Sequence, residues 1–262
     1  MTNKQIQLIA GLSDVKQRRR CGLFKAEGLK CVTDTIGHFE LRHLYATADA
    51  TLPPALEDKA ERVSRSEMQR MSSQVTTPPL IAVYAIPDSA LPPCPDDLGR
   101  NTSDIIVALD CIQDPGNLGT IIRTCDWMGI SHIIASKDTA DCWSPKVVQS
   151  TMGAISRVSI TYCDLAATLH QYQGLALRIG TFLDGENLYT ADTDIAPPLQ
   201  AKILIMGNEG NGISPSVAAE TDRRVLIPSY PPEHPTSESL NVATATAMAL
   251  AIIRRHDFAP NS

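Results

Sequence analysis

The chain has 262 residues, of which 43% are hydrophobic and 20% charged, and this is the composition of a globular protein with one large domain or two modest ones. Its 23 basic and 29 acidic residues give a net charge of -6, which disfavours diffuse binding to nucleic acid but leaves room for a local basic patch. The polar, basic N-terminus lacks the apolar core of a signal peptide, and no apolar run approaches the roughly 20 residues of a membrane span. We therefore predict a cytoplasmic protein without membrane association.

The seven cysteines are scattered along the chain without a C-x-x-C pair, which is typical of reduced thiols in the cytosol. The six histidines do not combine with them at the spacing of metal ligands. We therefore predict no metal.

The N-terminal part of the chain has the pattern of a small α/β domain. Short apolar segments typical of strands alternate there with candidate helices. A basic cluster near the start is either the solvated face of a helix or a surface that contacts nucleic-acid phosphates, and the net charge of the chain favours the first interpretation. The predicted strands are 23–26, 41–46 and 80–86, the predicted helices 27–37 and 64–73, and the basic cluster Lys16, Arg18, Arg19, Arg20 and Lys25.

A proline-rich segment at 87–103 marks an exposed connection, so we predict a first domain over 1–90, a linker over 91–103 and a second domain over 104–262. In the second domain, strands alternate with helices, and this implies a mostly parallel sheet covered on both faces. The predicted strands are 104–110, 131–136, 157–160, 175–183, 202–207 and 223–228, and the predicted helices are 116–129, 144–153, 164–173 and 239–256.

A glycine-rich turn, LIMGNEGNGIS at 204–214, follows one of these strands, where ligand crevices of parallel sheets form. Gly207 and Gly212 have the spacing of a phosphate-binding loop, but Ile213 occupies the position of its lysine. The dinucleotide pattern also fails, because Pro215 replaces its last glycine. A nucleoside-triphosphate hydrolase is therefore disfavoured.

Three motifs in order resemble those of the SpoU, or TrmH, family of RNA ribose methyltransferases: N-x-G-x-x-x-R from Asn117, G-N-E-G-x-G-I-S from Gly207, and I-P followed by S-L-N-V-A from Ile227. The likeness covers 104–256. The first domain is similar, through Phe24–Val32 and Met71–Tyr84, to the substrate-binding domain of many members, which resembles small ribosomal RNA-binding proteins. The resemblance implies an α/β fold of the SPOUT class with a trefoil knot, and a homodimer whose active site forms at the subunit interface.

The resemblance also implies the ligands and the residues that hold them. S-adenosylmethionine is the implied cofactor. It carries no phosphate, and this agrees with the absence of a phosphate-binding lysine from the glycine-rich turn. The positions whose backbones would hold it are Gly207, Ile227 and Leu240. The implied catalytic and substrate-positioning residues are Asn117, Arg123, Glu209, Ser239 and Asn241.

Two residues are candidates for accepting the proton of the ribose 2′-hydroxyl. The family mechanism assigns this role to the arginine that corresponds to Arg123, although a guanidinium is effectively always charged. Arg123 would alternatively clamp an RNA phosphate and stabilise the developing alkoxide. Glu209 is the rival candidate, either as the base or as a residue that orients Arg123.

Ribosomal RNA is the expected substrate, because this type of first domain accompanies ribosomal-RNA members more often than transfer-RNA ones. The alternatives are a transfer-RNA methyltransferase and a non-catalytic RNA-binding protein that retains the fold. The proline-rich loop at 228–238, which includes His234, is longer than the compact loop common in the family. Its contacts with the cofactor therefore stay open.

Overall fold

The computed structural model describes residues 1–88, 92–93, 105–191, 193, 201–231, 240–255 and 257. Contacts within the chain divide it into two units, Met1–Ser89 with Asp141–Arg157, and Ala90–Ala140 with Val158–Ser262. The boundaries of the linker stay a prediction. The sequence patterns do not predict that Asp141–Arg157 belongs to the first unit. No helix in the described part of the chain combines the length and apolar character needed to cross a membrane.

The first unit contains a four-stranded sheet in the order β1-β4-β2-β3. β4 is antiparallel to both β1 and β2, and β3 is parallel to β2. Its strands are β1 (Leu23–Glu27), β2 (Leu41–Thr47), β3 (Glu61–Val63) and β4 (Leu80–Ala85). Its helices are α1 (Asn3–Gly11), α2 (Val15–Cys21), α3 (Leu29–Thr35), α4 (Pro54–Glu57), α5 (Arg65–Met71) and α7 (Pro145–Ser150), with a short 3-10 helix at Ala154–Ser156.

The two faces of this sheet carry separate apolar cores, because successive side chains of a strand point to opposite faces. On one face, Ile6 and Ile9 of α1 join a cluster that includes Tyr45 and Ile81. On the other face, Val148 of α7 joins a cluster around Phe24. This apolar contact explains why a segment distant in sequence belongs to the first unit.

The three strands and two helices predicted in this unit are confirmed. Helix α1 begins with a capping box. The hydroxyl of Thr2 accepts a hydrogen bond from the Gln5 backbone N–H at 3.3 Å, and the Gln5 side chain accepts one from the Thr2 N–H at 2.9 Å. The sequence patterns do not predict α1, α4 and β3, because these elements are short and depend on tertiary contacts.

The second unit contains a six-stranded sheet in the order β10-β8-β9-β5-β6-β7, and every neighbouring pair is parallel. Its strands are β5 (Ile105–Leu109), β6 (His132–Ser136), β7 (Ser159–Cys163), β8 (Ala176–Asn187), β9 (Ala201–Met206) and β10 (Arg223–Leu226). Its helices are α6 (Pro115–Trp127), α8 (Leu165–Gln171), α9 (Pro215–Ala218) and α10 (Val242–Ile253).

The predicted α/β class with a parallel sheet is confirmed, and the trefoil knot stays a prediction. β9 lies between β8 and β5, and both of these pairs are parallel. The carboxyl ends of the three strands therefore meet at one edge of the sheet. This edge brings the glycine turn that follows β9 next to the loop that leads from β5 into α6.

Candidate functional site

Helix α6 is capped by Asp114, and not by Asn117. The Asp114 side chain accepts a hydrogen bond from the Asn117 backbone N–H at 2.8 Å, and Pro115 occupies the first helical position. Since the cap is provided by another residue, the side-chain amide of Asn117 is available for other contacts.

The side chains of Asn241, Asn117 and Glu209 form a continuous hydrogen-bonded chain, which we call the relay. Asn241 Nδ2 donates to Asn117 Oδ1 at 2.9 Å, and Asn117 Nδ2 donates in a short contact to Glu209 Oε1. The relay joins the starts of α10 and α6 to the glycine turn. The structure therefore brings together one residue from each of the three sequence motifs.

The direction of the relay is fixed at its first member. Asn241 is the N-cap of α10, and its Oδ1 accepts from the backbone N–H groups of Ala243 at 3.0 Å and Thr244 at 3.2 Å. Because a backbone N–H can only donate, the oxygen of Asn241 must face the helix and its Nδ2 must face Asn117. Asn117 then has its Nδ2 towards Glu209, which must accept.

A cavity of about 410 Å³ opens beside the relay, between the glycine turn, the middle of β8 and the end of β10. Gly207, Ile227 and Leu240, the three positions expected to hold the cofactor, all line it. Phe182, Val225 and Leu226 provide apolar wall. Glu209 also lines the cavity and is the only ionisable residue among the described lining residues.

Gly207 is required by the glycine turn itself. A Cβ added there would lie 2.3 Å from the carbonyl carbon of Gly212 and 2.4 Å from the nitrogen of Ile213. The turn closes through two backbone hydrogen bonds between Asn208 and Gly212, at 3.0 and 2.8 Å. The absence of a side chain at position 207 therefore allows the turn to fold back on itself, and a cofactor contact of its backbone stays a prediction.

Two polar residues that are not among the predicted site residues hold the glycine turn against the loop after β5. Asn208 Nδ2 donates to the Cys111 carbonyl at 2.9 Å, while its Oδ1 accepts from the N–H groups of Gly210 and Asn211. The carboxylate of Asp110 accepts from the Ser214 N–H at 2.7 Å. The position of Asn208 within the turn, followed by two glycines, is the only sequence signal for its role.

Arg123 is not part of the relay. It lies six residues after Asn117 on α6, and at 3.6 residues per turn its side chain points about 240° around the helix from that of Asn117. It is exposed and has no hydrogen bond or ion pair with another residue in the described ranges. Ser239 and His234 lie outside the described residues, as does most of the loop at 228–238.

The structure separates the predicted basic cluster into buried and exposed members. Arg18 is 2% exposed, donates to the carbonyls of Leu12 and Ser13, and pairs with Asp141 at 2.6 Å. Lys25 is fully buried, and its Nζ donates to the Met71 carbonyl at 2.6 Å. The predicted RNA contact is therefore wrong for these two residues, because their charges are already satisfied inside the first unit. It stays a prediction for the exposed Lys16, Arg19 and Arg20.

Lys25 also forms a buried ion pair with Glu27, with its Nζ 3.0 Å from Oε1. Burial lowers the pKa of Lys25 and outweighs the opposite effect of Glu27. Burial alone would raise the pKa of Glu27, but Lys25 and hydrogen bonds from Ser72 and Ser73 together hold that pKa below its usual value. Both charges thus have a structural role.

No group of three or more His, Cys, Asp or Glu side chains within the described stretches could hold a metal ion. The sequence prediction of a metal-free protein is not tested by this observation and stays a prediction.

The fold and the site define an α/β protein with a ligand-sized cavity at the carboxyl edge of a parallel sheet. The model of the SpoU rRNA Methylase family matches residues 104–251, which is more than half of the chain. The chain therefore belongs to the SpoU rRNA methylase family, and the family resemblance of its motifs is confirmed.

Curated relatives include two bacterial enzymes. The chain is 25% identical over 256 residues to the 23S rRNA (guanosine(2553)-2'-O)-methyltransferase RlmP of Bacillus subtilis (strain 168), covering 96% of each chain. It is 34% identical over 165 residues to the 23S rRNA (guanosine-2'-O-)-methyltransferase RlmB of Neisseria meningitidis, covering 61% of this chain and 62% of the relative.

Solved structures resemble the chain over nearly its full length. A putative RNA methyltransferase of the TrmH family from Porphyromonas gingivalis has a TM-score of 0.80 and 37% identity, with 98% of this chain and 99% of that chain covered. An AdoMet-bound rRNA methyltransferase from Sinorhizobium meliloti has a TM-score of 0.83 and 27% identity, with 99% and 97% covered. Both units of the chain therefore have counterparts in these structures.

Proposed function

We propose that the protein transfers the methyl group of S-adenosylmethionine to a ribose 2′-hydroxyl of ribosomal RNA. The observation that carries this proposal is the relay, because Asn241, Asn117 and Glu209 connect all three family motifs at the edge of one cavity. The relative from Bacillus subtilis, matched along 96% of both chains, is named for this reaction on 23S rRNA.

The cavity fits S-adenosylmethionine in size and in chemistry. Its volume of about 410 Å³ lies within the range of small-molecule sites. Its apolar walls suit an adenine ring, and the backbones of Gly207, Ile227 and Leu240 would hold the polar edges of the ligand. No described lining residue is a cation, so the site suits a nucleoside without phosphates. The carboxylate of Glu209 complements the positive sulfonium.

S-adenosylmethionine supplies a methyl group that is already electrophilic, so the protein must mainly align the ribose oxygen and stabilise charge. Arg123 is exposed and forms no hydrogen bond or ion pair with another described residue, and its guanidinium presents several donors in a planar fork. It is therefore suited to hold an RNA phosphate beside the reacting ribose. Asn117 and Asn241 position Glu209 through the relay, and Ser239 completes the family set.

We assign RNA capture to the first unit, where Lys16, Arg19 and Arg20 are exposed on α2. Arg19 has no hydrogen bond or ion pair with another described residue, whereas Arg20 donates to Gln17 at 2.7 Å. A local cluster of this kind reconciles RNA binding with a net charge of -6.

The functional state is a homodimer formed through the second unit. Trp127 is 86% exposed and lies one helical turn after Arg123 on α6. An exposed aromatic side chain of this size is available to pack against a second copy, and burial of Trp127 there would bring Arg123 into a partly dehydrated site. We also propose that the protein acts in the cytoplasm.

The function is tested by mapping ribose methylation in ribosomal RNA from cells with and without the gene. We expect one 2′-O-methylated nucleotide to disappear without the gene and to return with the wild-type gene, but not with Arg123→Ala. Loss of a methyl group in transfer RNA instead would show that the substrate class is wrong. An unchanged methylation pattern in both RNAs would support the binding-only alternative.

A further inference from the structure

Two buried charges of the first unit hold one surface loop, the α5–β4 loop at residues 72–79. Lys25 Nζ lies 3.0 Å from Glu27 Oε1, and both side chains are buried. The Glu27 carboxylate also accepts hydrogen bonds from the hydroxyl of Ser72 and from both the N–H and the hydroxyl of Ser73. A buried charge keeps its partners, because losing one leaves it unpaired away from water. The start of the loop is therefore fixed from below.

Gln74 connects this loop to two other segments of the first unit. Its Nε2 donates to the carbonyl of Glu27, at the end of β1, at 3.4 Å and to Oε1 of Gln149, on α7, at 2.6 Å. The turn after α7 also lies against α3, since a Cβ added at Gly153 would be 2.5 Å from the Cβ of Asp34. The start of α3, the α5–β4 loop and the turn after α7 are thus adjoining segments.

Each of these three segments presents one large apolar side chain to solvent. Val75 in the α5–β4 loop is 99% exposed, and Leu29 and Met152 are exposed as well. In the described part of the first unit, no other large apolar side chain is exposed. Met152 has a φ of 51°, a left-handed conformation that residues other than glycine rarely adopt. We call Leu29, Val75 and Met152 the apolar patch.

The surroundings of the apolar patch suit an unpaired RNA base. The face of a base is apolar, and its edge carries hydrogen-bond donors and acceptors. Val75 projects from the stretch Ser72–Thr77, whose other members are serines, a glutamine and threonines, and the whole α5–β4 loop contains no ionisable residue. An apolar side chain can therefore pack on the face of a base while neighbouring amides and hydroxyls meet its edge.

The charge of the chain also favours RNA at the first unit. The 14 basic and 11 acidic residues of the first unit give a net charge of +3, whereas the 9 basic and 18 acidic residues of the second give -9. A positive unit attracts the phosphates of RNA. Three apolar side chains offer far less surface than the roughly 800 Å² per partner that a stable protein interface buries. RNA is therefore a better occupant than a protein.

We propose that the apolar patch, centred on Val75, contacts unpaired bases of the RNA substrate. The proposal rests on the proposed function, because it assigns part of the recognition of that RNA. Phosphates are present in paired and unpaired RNA alike, whereas the faces of bases are accessible only in loops, bulges and ends. The exposed members of the basic cluster thus supply affinity for any RNA, and the apolar patch directs the protein to unpaired segments.

The first test replaces Val75 with serine and measures RNA affinity. Because the side chain is almost fully exposed, Val75→Ser should keep the midpoint of denaturant unfolding. We expect it to bind unmethylated ribosomal RNA roughly tenfold more weakly. The dependence of affinity on salt should keep its slope, since no phosphate contact is lost. Affinity for a fully paired RNA duplex should not change. Tyr189→Ser, which removes an exposed aromatic side chain of the second unit, is the control and keeps the parental affinity.

Transfer kinetics separate recognition from the chemical step. We expect Val75→Ser to raise the KM for ribosomal RNA by the same factor as its dissociation constant. The single-turnover rate at saturating RNA and the dissociation constant for S-adenosylmethionine should stay at their wild-type values. The triple variant Leu29→Ser, Val75→Ser, Met152→Ser should weaken RNA binding further and still leave the saturated rate unchanged.

Photo-crosslinking identifies the occupant of the apolar patch directly. We expect Val75→p-benzoylphenylalanine to crosslink to an unpaired nucleotide of unmethylated ribosomal RNA, and the same replacement of Tyr189 to give no such crosslink. Crosslinks from position 75 to a protein of ribosomal particles, without any to RNA, would show that the patch binds protein and would overturn the proposal.

The remaining outcomes distinguish the proposal from the proposed function. An unchanged affinity of Val75→Ser for unmethylated ribosomal RNA would overturn the proposal and leave the proposed function intact. An equal loss of affinity for the paired duplex would also overturn it, because a duplex does not expose the faces of its bases. Absence of transfer by the wild-type protein to unmethylated ribosomal RNA would instead contradict the proposed function.

Discussion

Asn241 Nδ2 lies 2.9 Å from Asn117 Oδ1 and joins the N-cap of α10 to the first turn of α6. The two residues are 124 positions apart in the chain. Asn241 thus has two separable functions, because its oxygen caps α10 while its nitrogen holds Asn117. Single substitutions can remove one function and keep the other.

Replacement of Asn241 with aspartate should impair activity with little effect on stability. An aspartate at this position still accepts from the N–H groups of Ala243 and Thr244, but it cannot donate to Asn117. We expect Asn241→Asp to retain the free energy of unfolding and to lower methyl transfer by at least tenfold. Denaturant unfolding and single-turnover transfer measure the two effects.

The matched variant is Asn241→Ala, which removes the cap as well. It should lose about 1 kcal/mol of stability in addition to the activity. Equal transfer by Asn241→Asp and the wild type would show that the contact with Asn117 has no role in the reaction.

Replacement of Gly207 with alanine should weaken cofactor binding. Its Cβ would meet the backbone of Gly212 and Ile213 at 2.3 and 2.4 Å, so the glycine turn must open. We expect Gly207→Ala to lower the affinity for S-adenosylmethionine at least tenfold in a calorimetric titration. Gly210→Ala is the control, because its Cβ would approach nothing closer than Asn208 Oδ1 at 3.5 Å. Similar affinities for the two variants would argue against the tight turn as the basis of the site.

The exposed part of the basic cluster should contribute to RNA affinity through charge. We expect the double variant Arg19→Ala, Arg20→Ala to bind RNA more weakly and to show a shallower dependence of affinity on salt, since fewer counterions are released. The double variant Lys59→Ala, Arg65→Ala removes the same charge from other exposed positions of the first unit. Identical salt dependence of the two variants would place the RNA contact elsewhere.

The buried pair of Lys25 and Glu27 should stabilise the protein without contacting RNA. Glu27→Gln leaves the Lys25 charge buried and unpaired, so we expect the free energy of unfolding to fall by roughly 3–5 kcal/mol at neutral pH. Glu57→Gln, which removes an exposed partner of Arg62, should change it little.

The acid dependence of this difference follows from the lowered pKa of Glu27. A carboxyl with a lower pKa in the folded state contributes stability above its unfolded pKa, about 4.3 for glutamate, and loses it as the pH falls through the folded pKa. The gap between wild type and Glu27→Gln should therefore narrow in acid. A gap that is constant down to acidic pH would contradict the assignment.

The sequence predicts the sheets of the two units well, because apolar runs such as 104–110 are bounded by glycine and proline turns that end a strand. Through the family motifs, it also places Asn117, Glu209 and Asn241 in the segments that follow three strands. It cannot predict the direction of the relay, since that depends on which atom of each amide faces a cap in a distant helix.

Sequence patterns also do not predict which charged residues are buried. Arg18 belongs to a run of three arginines, a pattern that is typical of an exposed surface. Its partner Asp141 lies 123 positions away, so the local sequence does not reveal the ion pair. Composition predicts exposure for such residues, and only the tertiary structure shows the partner that permits burial. The same reason separates Lys25 from the surface cluster.

The most direct test of the account is to incubate the protein with methyl-labelled S-adenosylmethionine and unmethylated ribosomal RNA, and to digest the product to nucleosides. We expect the label to be recovered in a single 2′-O-methylnucleoside. Label in a methylated base, or no label in RNA while the cofactor is bound, would contradict it.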